Sequence, residues 1–259
     1  MAGKRPFQNF QVDHMTLLLQ KEFYPVAYYL FRSIFGVTKD TILYEKRRPA
    51  DDAQGETSMT FAVQVGSGTV GAEAFNNTIM AIVQPSEPAG QRSHVREMLD
   101  QHHAASHWQH IALRTPDLMA FHRHAVERGV NFITPILIDE SQDLIQTFSG
   151  EWFFPGSAPS AMFFEFVQRN PSPDHLKMLE EHNREAWFRD KTFLGLYNEK
   201  EQEYQSGKVT PFIDEALFKR LRALAGDKQV FEITEEEAAE ADRLMLEYGE
   251  SKKKQKTAA

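Results

Sequence analysis

VDHMTLLL at 12–19 and WQHIALRT at 108–115 are the two stretches whose reading decides the fold. Each has strand composition, and each carries a histidine as its third residue, His14 in one and His110 in the other. Each is followed by a helix-like segment, FYPVAYYLFRSIFGV and PDLMAFHRHAVERGV, that stops on Gly36-Val37 or Gly129-Val130. Strand-like segments come next: TILYEKR, SMTFAVQV and TIMAIVQ in the first copy, and VNFITPILI, DLIQTFS and AMFFEFVQ in the second. The chain therefore contains an internal repeat. Two β-α-β-β-β units of this size cannot each cover their own sheet, but side by side they can curl into a half-barrel around one cavity. The expected fold class is α+β, with paired β-α-β-β-β modules at about 8–85 and 107–170 forming one domain over 8–170. SHVREMLDQHH, between the copies, reads as a short connecting helix.

From Pro171 the pattern turns helical, and a helical extension is expected over 171–250. PDHLKMLEEHNREAWF is amphipathic, and TFLGLYNEKEQEYQSG ends on a glycine. Pro211 after Thr210 reads as a helix start, closed at Ala225-Gly226, and Thr234 with Glu237 has the spacing of a capping box. The last nine residues, SKKKQKTAA (251–259), read as a solvated, disordered tail.

Composition removes several classes of function. With no cysteine, disulfides, thiolate metal sites, iron–sulfur clusters and cysteine nucleophiles are all excluded, so any metal must be held by His, Asp or Glu. The formal charge is −8, and the lysine-rich end contributes +4, so the rest carries −8 − 4 = −12. That balance disfavours nucleic acid as a partner. No apolar run approaches the roughly 20 residues that cross a bilayer, and the basic N-terminus has no apolar stretch behind it. A cytoplasmic protein without membrane partners is expected.

His14 and His110 occupy equivalent places in the two copies, so stacking of the modules would point both into one cavity. Glu165 lies in the apolar strand AMFFEFVQR, where a carboxylate is costly unless something positive compensates it. Two imidazoles and one carboxylate on one face of a metal leave open positions, the arrangement associated with oxygen-activating iron(II). His102, His103 and His107 sit by the linker helix and read as solvent-exposed, with a zinc site as the competing reading; His122 and His124 face different directions on their helix. GSGTVG (66–71) matches G-x-G-x-x-G but runs straight into strand pattern, so a glycine-rich hairpin is the better reading.

VDH (12–14), QHIALRTPD (109–117), LIQTFS (144–149) and FFEFVQR (163–169) together resemble, in order and approximate spacing, the catalytic C-terminal half of the 4-hydroxyphenylpyruvate dioxygenase and 4-hydroxymandelate synthase family. The resemblance covers roughly 12–207 and implies the vicinal oxygen chelate fold, with Fe(II) held by His14, His110 and Glu165. It implies that Gln146 bonds substrate, that Phe148 offers a stacking surface, and that Phe193 belongs to a gating helix over TFLGLYNEKEQEYQSG. That helix is expected to dock at one end and be solvated at the other. Ser86 stands where the family has a pocket asparagine, His94 where it has a glutamine, and Phe61 where it has a serine. The family's N-terminal domain has no counterpart in these motifs.

The implied reaction is oxidative decarboxylation of a 2-oxo acid by dioxygen, with 4-hydroxyphenylpyruvate disfavoured by the three pocket changes. Two alternatives remain open: a divalent-metal lyase or isomerase of the same fold, and a metal-free small-molecule binding protein. A homo-oligomer is allowed.

Overall fold

The computed structural model describes residues 5–48, 58–65, 68–70, 73–75, 78–85, 93–139, 142–183 and 192–258. Strands β1 Gln11–Leu19, β2 Ile42–Arg48, β3 Ser58–Val65, β4 Gly68–Val70, β5 Glu73–Phe75 and β6 Thr78–Val83 belong to the first copy, with helix α1 Tyr24–Phe35 between β1 and β2. Helix α2 His94–Gln101 links the copies. The second copy has β7 Ser106–Arg114, α3 Leu118–Val126, β8 Leu137–Ile138, β9 Leu144–Glu151 and β10 Phe163–Arg169. Helices α4 Pro173–Asn183, α5 Thr192–Ser206, α6 Glu215–Ala225 and α7 Glu235–Ala258 follow. The chain divides into two compact units, one of residues 11–114 with 197–208, the other of 1–10, 115–196 and 209–259.

In the first unit the strand order is β2-β3-β6-β1-β7. β1 runs parallel to β6, with Thr16 beside Ala81, and antiparallel to β7, with Thr16 beside His110. A parallel neighbour requires a crossover, and α1 supplies it. Pro25 fits the first turn of α1, where its missing N–H is not needed, and Gly36 ends the helix at φ 68°, a left-handed position that costs glycine nothing. One face of α1 then packs Tyr24 and Phe31 on Leu19, Ile82 and Val37. Ser93 caps α2 by accepting from the Arg96 amide. Of GSGTVG, Gly68–Val70 form β4 and pair antiparallel with β5, while Gly66, Ser67 and Gly71 lie outside the described residues.

The second unit holds the antiparallel order β10-β9-β8. Asp117 caps α3 through the Ala120 amide, and Gly129, at φ 81°, stands at the same stop as Gly36. The expected strand over 130–138 shrinks to β8: Pro135 lacks the N–H a ladder needs, and Val130 and Phe132 form isolated bridges to Ile213 and Ser149 instead.

The structure departs from two other expectations. Pro211 does not start a helix, because residues 210–212 are hydrogen-bonded to Glu151, and α6 begins only after Asp214. The end of the chain is not a disordered tail: α7 runs to Ala258, and Lys252 donates to Asn131 Oδ1 and Asp214 Oδ2 at 2.6 and 2.7 Å. Toward the end of α5, Gln202, Gln205 and Ser206 are exposed, while Lys200, Glu203 and Tyr204 on its other side are buried. Glu203 makes that possible by accepting from Lys200 Nζ at 2.8 Å. The reciprocal capping bonds between Thr234 and Glu237 form as the spacing indicates. Among the described residues no helix is long and apolar enough to cross a membrane.

Candidate metal centre

β1 and β7 lie side by side and bring the two repeat-related histidines together. His14 Nε2 and His110 Nε2 are 3.4 Å apart, with the rings nearly perpendicular at 82°. On the far side of each ring an acceptor faces Nδ1: Asp13 Oδ1 at 3.1 Å from His14 and Gln109 Oε1 at 3.0 Å from His110. If both Nδ1 atoms carry the proton, both Nε2 atoms turn lone pairs toward the same spot. The Thr16 hydroxyl, 2.8 Å from His110 Nε2, then donates to that nitrogen.

Glu165 is carried by β10 and is only 3% exposed. Burial of a carboxylate to this degree requires compensation by positive charge or several donors. One ligand atom from each of His14, His110 and Glu165 can be chosen so that all three lie within 4.8 Å of one another, a cluster that could hold a metal ion. Ligand atoms about 2.1 Å from one ion are about 3 Å apart at right angles and about 4.2 Å apart when opposed. The 3.4 Å between the imidazole nitrogens falls inside that range. Two neutral imidazoles and a carboxylate also make the donor set that suits a divalent first-row cation. The residues fit a metal.

β9 pairs with β10 so that Phe148 lies directly opposite Glu165 and Gln146 opposite Val167. Directly opposed residues share a face, and i and i+2 along a strand do too, which puts Gln146 and Phe148 on the face of Glu165. Both are buried, and Phe148 packs with Phe163, Leu137 and Leu196 of α5. Phe193 is three residues before Leu196 in that helix. Phe61 lies on β3, opposite Ile82, and His94 is the first residue of α2. The side chains of Phe61, His94 and Phe193, and all of Ser86, lie outside the described residues.

His102 and His107 stack at 4.4 Å and are half-buried, a departure from the exposure expected of them. His122 packs on Phe132, whereas His124 faces Arg5 and Arg128, in keeping with their separate directions. Sequence reasoning missed Asp13, Gln109 and Thr16. The signal for the first two was present, since a polar residue precedes the histidine in both VDH and WQH.

No family model matches the chain, and no curated protein matches it. Among solved structures it is similar to a triple mutant of 4-hydroxymandelate synthase from Streptomyces coelicolor, at 17% identity and TM-score 0.52, covering 78% of this chain and 58% of that one. The chain thus spans less than two thirds of that protein's length. Methylmalonyl-CoA epimerase from Mycobacterium tuberculosis matches at 18% identity and TM-score 0.40, covering 68% of this chain and 97% of that one. The first likeness shows the fold: α+β, of the vicinal oxygen chelate type.

Proposed function

We propose that this chain is an iron(II)-dependent dioxygenase that oxidatively decarboxylates a 2-oxo acid, with His14, His110 and Glu165 as the iron ligands. The observation that carries the reading is the convergence of these three side chains, two of them related by the repeat. Bound iron(II) would supply the activation of dioxygen and a chelation point for the carboxylate and keto oxygens of the substrate.

The remaining work falls to the chain itself. Among the ligands only Glu165 is charged, so one of the metal's two positive charges is left to attract an anionic 2-oxo acid. Gln146 and Phe148, on the face of Glu165, supply an amide donor and an aromatic wall for the part of the substrate beyond its keto group. A helix carrying Phe193 would exclude water at the mouth, a role supported by the packing of Leu196 on Phe148. With Phe61, Ser86 and His94 in place of the related family's serine, asparagine and glutamine, a phenolic 2-oxo acid loses partners at about 1–3 kcal/mol per buried group. 4-Hydroxyphenylpyruvate is therefore expected to be a poor substrate. The partners proposed are small molecules, a 2-oxo acid and dioxygen.

The donor set also favours a second reading, because two histidines and a glutamate are equally a catalytic zinc set. In that case the metal is a Lewis acid for a lyase or isomerase. Metal analysis of anaerobically purified protein, followed by oxygen-electrode measurements over aromatic and aliphatic 2-oxo acids, separates the two. Stoichiometric iron with oxygen uptake dependent on a 2-oxo acid is expected. Iron-loaded protein that consumes no oxygen with any of them overturns the dioxygenase reading.

A further inference from the structure

The ladder between β1 and β7 is interrupted twice, each time at the residue before a histidine. Val12 pairs with Leu113 and His14 with Ala112, so Asp13 is an extra residue in β1; Thr16 pairs with His110 and Leu17 with Trp108, so Gln109 is an extra residue in β7. In a regular strand consecutive side chains leave on opposite faces, and Asp13 could not reach the ring of His14. A bulge breaks that alternation and re-aims one side chain. The result is the same in both copies: the extra residue's oxygen comes within 3.1 Å of His14 Nδ1 and 3.0 Å of His110 Nδ1. Both extra residues are buried, Asp13 at 7% and Gln109 at 1% exposure, so their polar atoms must be matched from within.

We infer that Asp13 and Gln109 are positioning residues that hold both histidines in the Nδ1–H tautomer and fix their ring planes, so that the two Nε2 atoms act together on one cation. The inference rests on the metal reading above and goes beyond it, since it concerns side chains that are not ligands. An acceptor behind a ligating imidazole sets which nitrogen carries the proton and raises the basicity of the other. The bulges are the device that puts such an acceptor next in sequence to each ligand. They also set a difference: a carboxylate backs His14 and a neutral amide backs His110, and a bond to a charged acceptor is roughly twice as strong. His14 becomes the more electron-rich donor and His110 the less.

The test uses the full-length protein and cobalt(II) as the probe, with affinity read from its visible bands in competition with a chelator. Asp13→Ala and Gln109→Leu are expected to weaken cobalt about 10- to 100-fold. Asp13→Asn and Gln109→Glu, which keep an acceptor oxygen, are expected to recover most of it. Circular dichroism identifies the variants that fold. Separately, 15N spectra of the histidine side chains in metal-free wild-type protein should show both rings as Nδ1–H. Either ring found as Nε2–H overturns the inference without any variant. So do folded Asp13→Ala and Gln109→Leu variants that bind cobalt like the wild type. Wild-type protein that fails to bind cobalt removes the metal reading itself, and the inference with it.

Discussion

In the first copy of the repeat the strand parallel to β1 carries AIVQ at 81–84; in the second copy β10 carries EFVQ at 165–168. Aligned on their shared Val-Gln, the two place Ala81 where the other has Glu165. Ala81 sits beside Thr16, which sits beside His110, so the row that would hold a second carboxylate holds a methyl group and a hydroxyl. The histidines are duplicated and the glutamate is not. Under the proposed function this is why the protein contributes three ligands and not four, leaving coordination positions for substrate and oxygen. The outer surfaces differ as well. α1 turns Tyr29 and Ile34 to solvent at about two thirds exposure, whereas α3 ends under α7, with Arg128 bidentate to Asp242.

Removing the unduplicated ligand should have the largest effect. Glu165→Ala is expected to weaken iron binding by more than the roughly 100-fold reached when an outer partner is lost, and to abolish oxygen uptake; metal analysis after dialysis reads it. Near-stoichiometric iron in this variant would mean that the copies do not differ in the way described. Restoring symmetry should be nearly as damaging for the opposite reason. Ala81→Glu is expected to retain metal while losing at least about 10-fold in 2-oxo-acid-dependent oxygen uptake, because a fourth ligand competes with substrate. Undiminished turnover in a folded Ala81→Glu variant would show that the alanine is not what keeps the site open.

A smaller effect is expected at the helix that follows the second copy. Phe193→Ala should raise oxygen consumption not coupled to product, with iron content unchanged; loss of iron or of folding would mark Phe193 as a core anchor. Smaller again is the asymmetry at Thr16. Its hydroxyl competes with a metal for His110 Nε2, so Thr16→Val should tighten cobalt by about 2- to 10-fold, the worth of one net hydrogen bond. Weaker binding in a titration would make Thr16 a helper and not a competitor.

The smallest effect concerns the clamp on α3. Burial, and then the charges of Arg128 and Arg5, hold the His124 pKa below its ordinary 6.5. The folded protein therefore resists a proton that the unfolded chain accepts, and this contribution to stability is full above pH 6.5 and declines as pH falls from there through the depressed value. For Asp214, burial alone would raise the pKa, but hydrogen bonds from Lys252, Asn131 and Tyr248 outweigh it and bring it below 3.8. Its contribution is present above that value and lost in stronger acid. Thermal melts should thus fall first below pH 6.5 and again below about 4, and Lys252→Ala should cost about 1 kcal/mol at neutral pH. A melting temperature flat between about pH 7 and 5 would remove His124 from the clamp.

The repeat made much of this legible in sequence. A histidine third in each strand and a Gly-Val stop after each helix are local patterns, and local patterns survive in a single sequence. The candidate metal cluster could be named because a carboxylate in FFEFVQR is an anomaly at the level of composition. The bulges could not be read, since they are a property of register between β1 and β7, and register follows from which residues meet across the ladder. Pro211 misled for a related reason: the helix-start signal is genuine, but Glu151 offers residues 210–212 a hydrogen-bonded strand-like path, a contact between segments far apart in the chain. The tail misled because a run of lysines reads as solvated charge, and only the fold reveals that Asp214 faces one of them.

That last contact bears on how the protein is made. Lys252 meets Asn131 across 121 residues, and a side chain at Gly249 would run into the Glu127 carbonyl, so α7 seats only by close backbone approach. Long-range closures of this kind form late, because the chain entropy of the intervening loop is lost before any contact rewards it. During synthesis the strands of the first copy and their helix emerge early and can pair as they appear. The second unit stays open until Lys252 has left the ribosome, with β9 and β10 complete but α3 not yet covered by α7. A nascent chain stalled anywhere between Asp214 and Lys252 is therefore committed to a half-closed protein, and the interval between those residues is the period in which it is most exposed to aggregation and to proteases.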